Sequence, residues 1–283
     1  MSTGWEMGVR LGVFAAVFAL MAIWEILAER RARRCSRRRR WLANLGLVVL
    51  DAAVVRLVFP LTLVGAAMMA EAHGSGLLPG LSVPPVVALS ASVIVLDLAL
   101  YLQHVLFHAV PALWRLHMVH HADLDFDLTT GLRFHPLEIV LSLALKIGVV
   151  VLLGAPPLAV LIFEALLNGT SLFNHGNVSL PAKLDMATRW LLVTPDMHRV
   201  HHSVERVEAN SNFGFCLSWW DRLLGTYRQS PEAGHDGMQI GLSHLQSRAN
   251  QSLPWLLALP FRGTTGAYPL SDTGKRGARS EEA

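Results

Sequence analysis

Charge is scarce in this sequence. Only 16% of its 283 residues are Asp, Glu, Lys or Arg, while 52% are hydrophobic and the mean hydropathy is +0.40. A soluble domain carries about 25% charged residues, so the deficit argues against a disordered chain, a secreted disulfide scaffold and an ordinary cytosolic enzyme. Cysteine is scarcer still. Cys35 and Cys216 cannot build a disulfide framework and lack zinc-knuckle spacing. No internal repeat is present. The net charge of +3 does not indicate a nucleic-acid partner, because eight of the 24 basic residues lie within Arg30–Arg40.

What is abundant is long apolar sequence. A bilayer core of about 30 Å needs about 20 mostly apolar helical residues. Four regions qualify: Val9–Leu27, Trp41–Ala70, Pro85–His108 and Leu137–Leu167. No basic leader or small-residue cleavage site precedes the first, which reads as a retained anchor. The second contains Asp51, Arg56 and Pro60, and a kink is expected there. The fourth is cut by Gly154-Ala155-Pro156-Pro157 and reads as a helical hairpin. The arginines of the 30–40 run should stay cytoplasmic. The N-terminus and the Ala70–Pro84 loop are then outside, the chain returns inside at His104, the hairpin goes out and back, and everything after about Thr170 is again cytoplasmic. Asp51, Arg56 and Asp97 lie within apolar regions, where an ionisable group is costly. Asp51 and Arg56 could pair, line a substrate path or snorkel to the interface.

Histidine is the second excess: of thirteen, ten fall between His104 and His202. His104-Val-Leu-Phe-His108 closes the third apolar region with an i, i+4 pair. His117-Met-Val-His120-His121 and His198-Arg-Val-His201-His202 repeat one HxxHH pattern, with i, i+3 and i+4 on one helix face. His135 and His175 lie between them. A lone imidazole on an apolar face is usually a hydrogen-bonded core residue, but that explanation would have to recur eight times here. Neutral imidazole suits zinc, copper, iron and nickel, and a closed zinc site takes only four ligands, so two metals are expected. No Asp or Glu lies between Asp97 and Asp123, and the single Glu-x-x-His spacing, Glu232 to His235, sits beside Pro231 and Gly234. A carboxylate-bridged bundle is therefore disfavoured. What remains is an all-imidazole dimetal centre at a membrane surface, suited to iron and oxygen chemistry on an apolar substrate.

From Tyr101 to Tyr227 the chain resembles the fatty acid hydroxylase and sterol desaturase superfamily of integral-membrane non-haem di-iron oxygenases. The resemblance rests on the HxxxH at His104 and His108, the two HxxHH clusters in order, Arg133-Phe-His135-Pro136, Asn174-His175-Gly176-Asn177, Asn212-Phe-Gly214 and Trp220-Asp221-Arg222. It implies an all-α polytopic membrane protein with about four transmembrane helices and a cytosolic helical cap holding a His-rich dimetal site. It carries family ligands onto His104, His108, His117, His120, His121, His198, His201 and His202, with His175 as the middle-cluster ligand. Some members have a second histidine four residues after that one, and this chain has Ser179. Either His135 substitutes, or the second metal has fewer protein ligands.

The expected organisation is transmembrane helices over 1–110, a catalytic region over 101–230 that includes the hairpin, and a C-terminal tail over 231–283, partly disordered, with fraying at Ser271–Ala283. Asp123, Asp125, Asp127, Glu138, Asp196 and Asp221 are candidates to receive the outward N–H of a ligating imidazole, Asp221 foremost. Asn174 and Asn177 could ligate or hydrogen-bond. The expected function is hydroxylation of a C–H bond of a membrane lipid, using two iron ions, O2 and electrons from a separate redox partner, since no haem or flavin fingerprint appears. Zinc can take the same imidazoles in purified material. The alternatives are a lipid desaturase or demethylating oxidase on the same scaffold, a zinc hydrolase, and a non-catalytic membrane metal-binding or transport protein.

Overall fold

In the computed structural model, residues 3–249 and 251–272 are described, and they hold helices and turns, with no strands and only two isolated bridges, Leu192 to Leu217 and Ser203 to Ile240. The helices are α1 (Thr3–Leu27), α2 (Arg37–Val58), α3 (Leu63–Ala72), α4 (Leu77–Leu81), α5 (Pro85–Ala109), α6 (Pro111–His121), α7 (Pro136–Leu153), α8 (Pro157–Asn174), α9 (Ala182–Thr188) and α10 (Pro195–His201), followed by short turns. Proline opens α5, α6, α7, α8 and α10, where its fixed φ suits the first turn and its missing N–H would have had no helical partner.

Among the described residues, five helical segments are long and apolar enough to cross a membrane: Gly8–Leu27, Arg37–Leu81, Pro85–Ala109, Pro136–Leu153 and Pro157–Asn174. Many of their apolar side chains face outward, as Leu57, Val86 and Leu152 do, which suits a hydrocarbon surround. The hairpin expected in the fourth apolar region is present as two helices, so five such segments stand beside the about four spans that the resemblance implies. Each helix of the hairpin has 18 residues, about 27 Å at 1.5 Å per residue. They fold back at Gly154, whose φ of 67° places it in the left-handed region. A Cβ there would lie 2.5 Å from the Ser75 carbonyl oxygen, so the turn has no room for a side chain.

The expected break in the second apolar region falls at Pro60. α2 stops at Val58, and Thr62 restarts the helix by accepting a 3.0 Å hydrogen bond from the Gly65 N–H. α3, α5, α7 and α8 share a core built on Leu63, Val64, Leu96, Leu100, Val160 and Phe163, and α1 packs along α8 through Met21 and Leu172.

A second core lies at the other end of α5. Trp114, Met118 and Leu47 join Leu256 from the turn of helix Leu253–Ala258, and Tyr268 stacks on Trp114. The region expected to be a partly disordered tail therefore contributes a packed segment. The fraying expected at its end falls mostly on residues 273–283, outside the described residues.

The arginine run is folded into the structure. Arg40 is fully buried, with Nε and Nη2 each 2.7 Å from the Asp123 carboxylate and Nη1 2.5 Å from Asp127. The Arg34 and Cys35 N–H groups both donate to Asp125 at 2.8 Å, and Arg31 donates to the His235 and Met238 carbonyls. The run thus anchors α2 to the loop that follows the first HxxHH cluster.

Candidate metal centre

α5, α6, α8 and α10 converge so that nine buried imidazoles form two adjacent groups. His104, His108, His117, His121 and His201 make one, and His120, His175, His198 and His202 the other. Within each, one ring nitrogen per residue lies within 4.8 Å of all the rest. The two HxxHH clusters divide reciprocally. His117 and His121 (i, i+4) enter the first group while His120 enters the second; His198 and His202 enter the second while His201 enters the first. A helix turns about 100° per residue, so i and i+4 point together and i+3 diverges enough to reach a neighbouring centre. The sequence reading had all three of each cluster sharing one face.

The nitrogen spacings bear on what these groups can hold. His104 and His117 Nε2 are 3.0 Å apart, His108 and His121 Nε2 3.1 Å, His120 and His175 Nε2 3.2 Å, and His175 and His198 Nε2 3.0 Å. Two nitrogens bound about 2.1 Å from one ion at a right angle are separated by about 3.0 Å.

In five of the nine imidazoles the opposite nitrogen is fixed from behind. His104 Nδ1 faces the Phe213 carbonyl at 2.8 Å, His117 Nδ1 faces Glu138 Oε1 at 2.7 Å, His175 Nδ1 the Ser171 carbonyl at 2.8 Å, and His201 Nδ1 the Ser211 carbonyl at 2.8 Å. His108 Nδ1 lies 3.1 Å from the Asn210 side-chain oxygen. Each acceptor requires the proton on Nδ1 and leaves the Nε2 lone pair inward, the arrangement that orients a ligating imidazole. His201 Nε2 and both ring nitrogens of His202 are buried with no hydrogen-bond partner, a state that is rare unless something else satisfies the atom. The donor set therefore fits two metal ions.

Burial lowers His117 and His175 to about 3 and holds His120, His121, His198, His201 and His202 well below their ordinary value, with neighbouring imidazoles adding to the effect in all of these except His117. Neutral imidazole is the ligating form.

His135 lies outside both groups. Its Nδ1 accepts from the Leu137 N–H at 3.2 Å, capping α7, and its Nε2 donates to the Leu257 carbonyl at 3.3 Å. The imidazole orients a turn, and of the two alternatives the geometry favours the one in which the second group has fewer protein ligands. Both asparagine oxygens can be placed: Asn177 Oδ1 accepts from the Arg31 N–H while its amide donates to the Arg31 carbonyl, whereas Asn174 donates to the Phe215 carbonyl and leaves its Oδ1 buried without a partner.

Among the carboxylates expected behind the imidazoles, Glu138 takes that position. Asp123, Asp125 and Asp127 receive the arginine run instead, and Asp196 pairs with Arg199. Asp221 acts one step removed. It accepts from the Phe213 and Gly214 N–H groups at 2.7 and 2.9 Å, and so holds the backbone whose carbonyl receives His104. Asn210 and the carbonyls of Ser171, Ser211 and Phe213 carry no sequence signature and were not foreseen.

A cavity of about 210 Å³ between α2, α5, α7 and α8 approaches the imidazoles from the side of the apolar helices, separated from them by aromatic side chains of its wall. Its wall includes Phe134, which stacks on His120 with centroids 4.6 Å apart and planes 9° apart, and Phe215, 5.1 Å from His104. A separate cavity of about 380 Å³, lined by Arg31, Arg33, Arg34 and Phe126, lies on the polar side, where Phe126 stacks on His175 at 5.5 Å.

Residues 89–226, which contain all nine imidazoles, match the family model described as fatty acid hydroxylase. The chain is 32% identical over 182 residues to the ornithine lipid hydroxylase OlsE of Rhizobium tropici, which covers 64% of this chain and 53% of that protein. It is 28% identical over 153 residues to human alkylglycerol monooxygenase, covering 52% of this chain and 31% of the relative. Against rat cholesterol 25-hydroxylase it is 30% identical over 203 residues, covering 69% and 63%. The chain thus spans about half the length of the first of these relatives and about a third of the second. No solved structure matches the chain.

Proposed function

With residues 89–226 a fatty acid hydroxylase domain, we propose that this protein is a membrane enzyme that inserts oxygen from O2 into a C–H bond of a lipid, its nine clustered imidazoles holding two iron ions. The observation that carries the reading is that two sets of inward nitrogens stand behind Phe134, stacked on His120, and Phe215, beside His104, whose other sides line a mostly apolar cavity between the membrane-type helices. When bound, the iron pair would supply O2 activation, drawing electrons from a separate redox partner. The protein's own residues do the rest. Nδ1–H groups held by Glu138, Asn210 and three backbone carbonyls keep the lone pairs inward. Phe134 and Phe215 exclude water between the imidazoles and the lipid. The arginine run supports a catalytic face on the cytoplasmic side, with the N-terminus outside. The relatives are named for an ornithine lipid, an alkylglycerol and a sterol, which supports a lipid substrate.

His120→Ala and His201→Ala remove one imidazole from each group. Both variants should insert into membranes, lose product, and each show reduced metal content. The missing product is identified by comparing lipids extracted from a deletion strain and its complemented parent. A gain of about 16 mass units marks hydroxylation, whereas a loss of about 2 marks desaturation and overturns the proposed outcome. Retained hydroxylation in both variants overturns the site.

A further inference from the structure

The cavity lined by Phe134 and Phe215 is not uniformly apolar. Asp51 from α2 and Gln103 from α5 line it together with Leu100, Leu132 and Phe134. Asp51 Oδ1 and Gln103 Oε1 are both buried and accept no hydrogen bond, and Asp51 is only 9% exposed. Among the described residues no ion pair forms to Asp51, and Arg56, the cation five positions further along α2, is exposed. Of the other ionisable groups on this wall, Glu138 gives Oε1 to His117 while its Oε2 is buried without a partner, and Lys146 stands one helical turn beyond Ser142 on α7. With Asp51 Oδ1 and Gln103 Oε1 that makes three unmet acceptors beside a mostly apolar volume, which is costly for a site that takes hydrocarbon alone, since burying a polar group without a partner is unfavourable. The cost disappears when the occupant brings a donor. At about 210 Å³ the cavity is smaller than the roughly 300–1,000 Å³ that encloses a drug-sized ligand, so it takes one end of a lipid.

We infer that Asp51 and Gln103 recognise a hydrogen-bond donor, a hydroxyl or a protonated amine, at the end of the lipid that enters this cavity. The inference rests on the hydroxylase reading for the cavity being the substrate's seat, and deepens it by naming the substrate class. The substrate is a lipid with a donor-bearing polar end, and the attacked carbon belongs to that end. Asp51 and Gln103 are specificity-determining residues. They contact the lipid and stand apart from the metal groups.

Binding tests the inference without turnover. Full-length protein as purified in detergent is titrated with hexadecanol, hexadecylamine and hexadecyl methyl ether, and bound ligand is read by native mass spectrometry. The ether matches the alcohol but cannot donate. Wild type should bind the alcohol, the amine or both at least tenfold more tightly than the ether. Asp51→Leu and Gln103→Leu should reduce that preference towards unity while leaving ether binding and metal content unchanged. Asp51→Asn should keep preference for the alcohol and lose preference for the amine, which separates the two donor types. Equal binding of all three ligands to wild type, or a donor preference that survives in both leucine variants, overturns the inference. Loss of hydroxylation with an intact donor preference would instead count against the oxygenase reading alone.

Discussion

Glu138 Oε1 lies 2.7 Å from His117 Nδ1, and both side chains are buried. α7 thereby reaches across to α6 and fixes the direction in which one imidazole presents its other nitrogen. Removing such a partner typically lowers metal affinity 10- to 100-fold. Glu138→Leu should lose affinity in that range, measured by metal competition with a chelator. Glu138→Gln retains an oxygen that can accept from Nδ1–H and should lose much less. Equal losses in the two variants would show that the hydrogen bond is not what holds His117.

His135 and His175 are set apart by their neighbours. His175 shares a group with three other imidazoles, while His135 caps α7. His175→Ala should reduce metal content by about one ion per chain. His135→Ala should leave metal content unchanged and cost about 1 kcal/mol of stability, the usual effect of losing an N-cap. Gly131 offers an independent check. A Cβ there would meet the Ser171 carbonyl oxygen at 2.7 Å and His175 Nδ1 at 2.9 Å, so Gly131→Ala should resemble His175→Ala in metal content without altering any ligand. Elemental analysis of the three purified variants checks all of this.

The sequence carried the site where chemistry and helical period coincide. His104, His108 and the two HxxHH clusters are recognisable because imidazole is rare on apolar helix faces and the spacing repeats. The split of i+3 from i and i+4 follows from the helical period, but which group each member joins depends on how α5, α6, α8 and α10 converge, which no local spacing encodes. The backing of His104 and His201 was invisible for a different reason: Phe213 and Ser211 contribute carbonyls, and every residue has one. Asp123 and Asp127 misled because a carboxylate near a histidine cluster in sequence can face a more distant partner, here Arg40. The fold was legible in its apolar runs and in Pro60, Gly154 and Pro157. The span count depended on reading Leu137–Leu167 as two helices.

Arg40 is a buried cation shared by two carboxylates. Leaving buried charges without their partner costs about 3–5 kcal/mol. Arg40→Met should therefore destabilise the protein by about that much, leaving Asp123 and Asp127 facing each other. Arg40→Lys keeps the charge but cannot make the two-pronged contact with Asp123, and should fall between the two. Thermal unfolding in detergent, followed by tryptophan fluorescence, ranks the three proteins. A ranking with Lys below Met would mean that shape rather than charge governs the position.

Asp221 makes a pH-dependent contribution with a definite sign. Burial raises its carboxyl from 3.8 to about 6, against the opposing hydrogen bonds from Thr226, Gly214 and Phe213. Between those two values the folded protein holds a proton that the unfolded chain has released, so stability falls as pH rises from about 4 to about 6 and the change levels off above that. The slope for one such group is at most about 1.4 kcal/mol per pH unit. Buried histidines also titrate with folding, but they are common to wild type and Asp221→Asn, so the difference between the two unfolding curves isolates the carboxyl. That difference should shift in favour of Asp221→Asn as pH rises through 4 to 6 and stay constant from 6.5 to 8. A pH-independent difference would show that the Phe213 and Gly214 N–H groups hold Asp221 ionised throughout, and that the His104 contact is supported by a permanent charge.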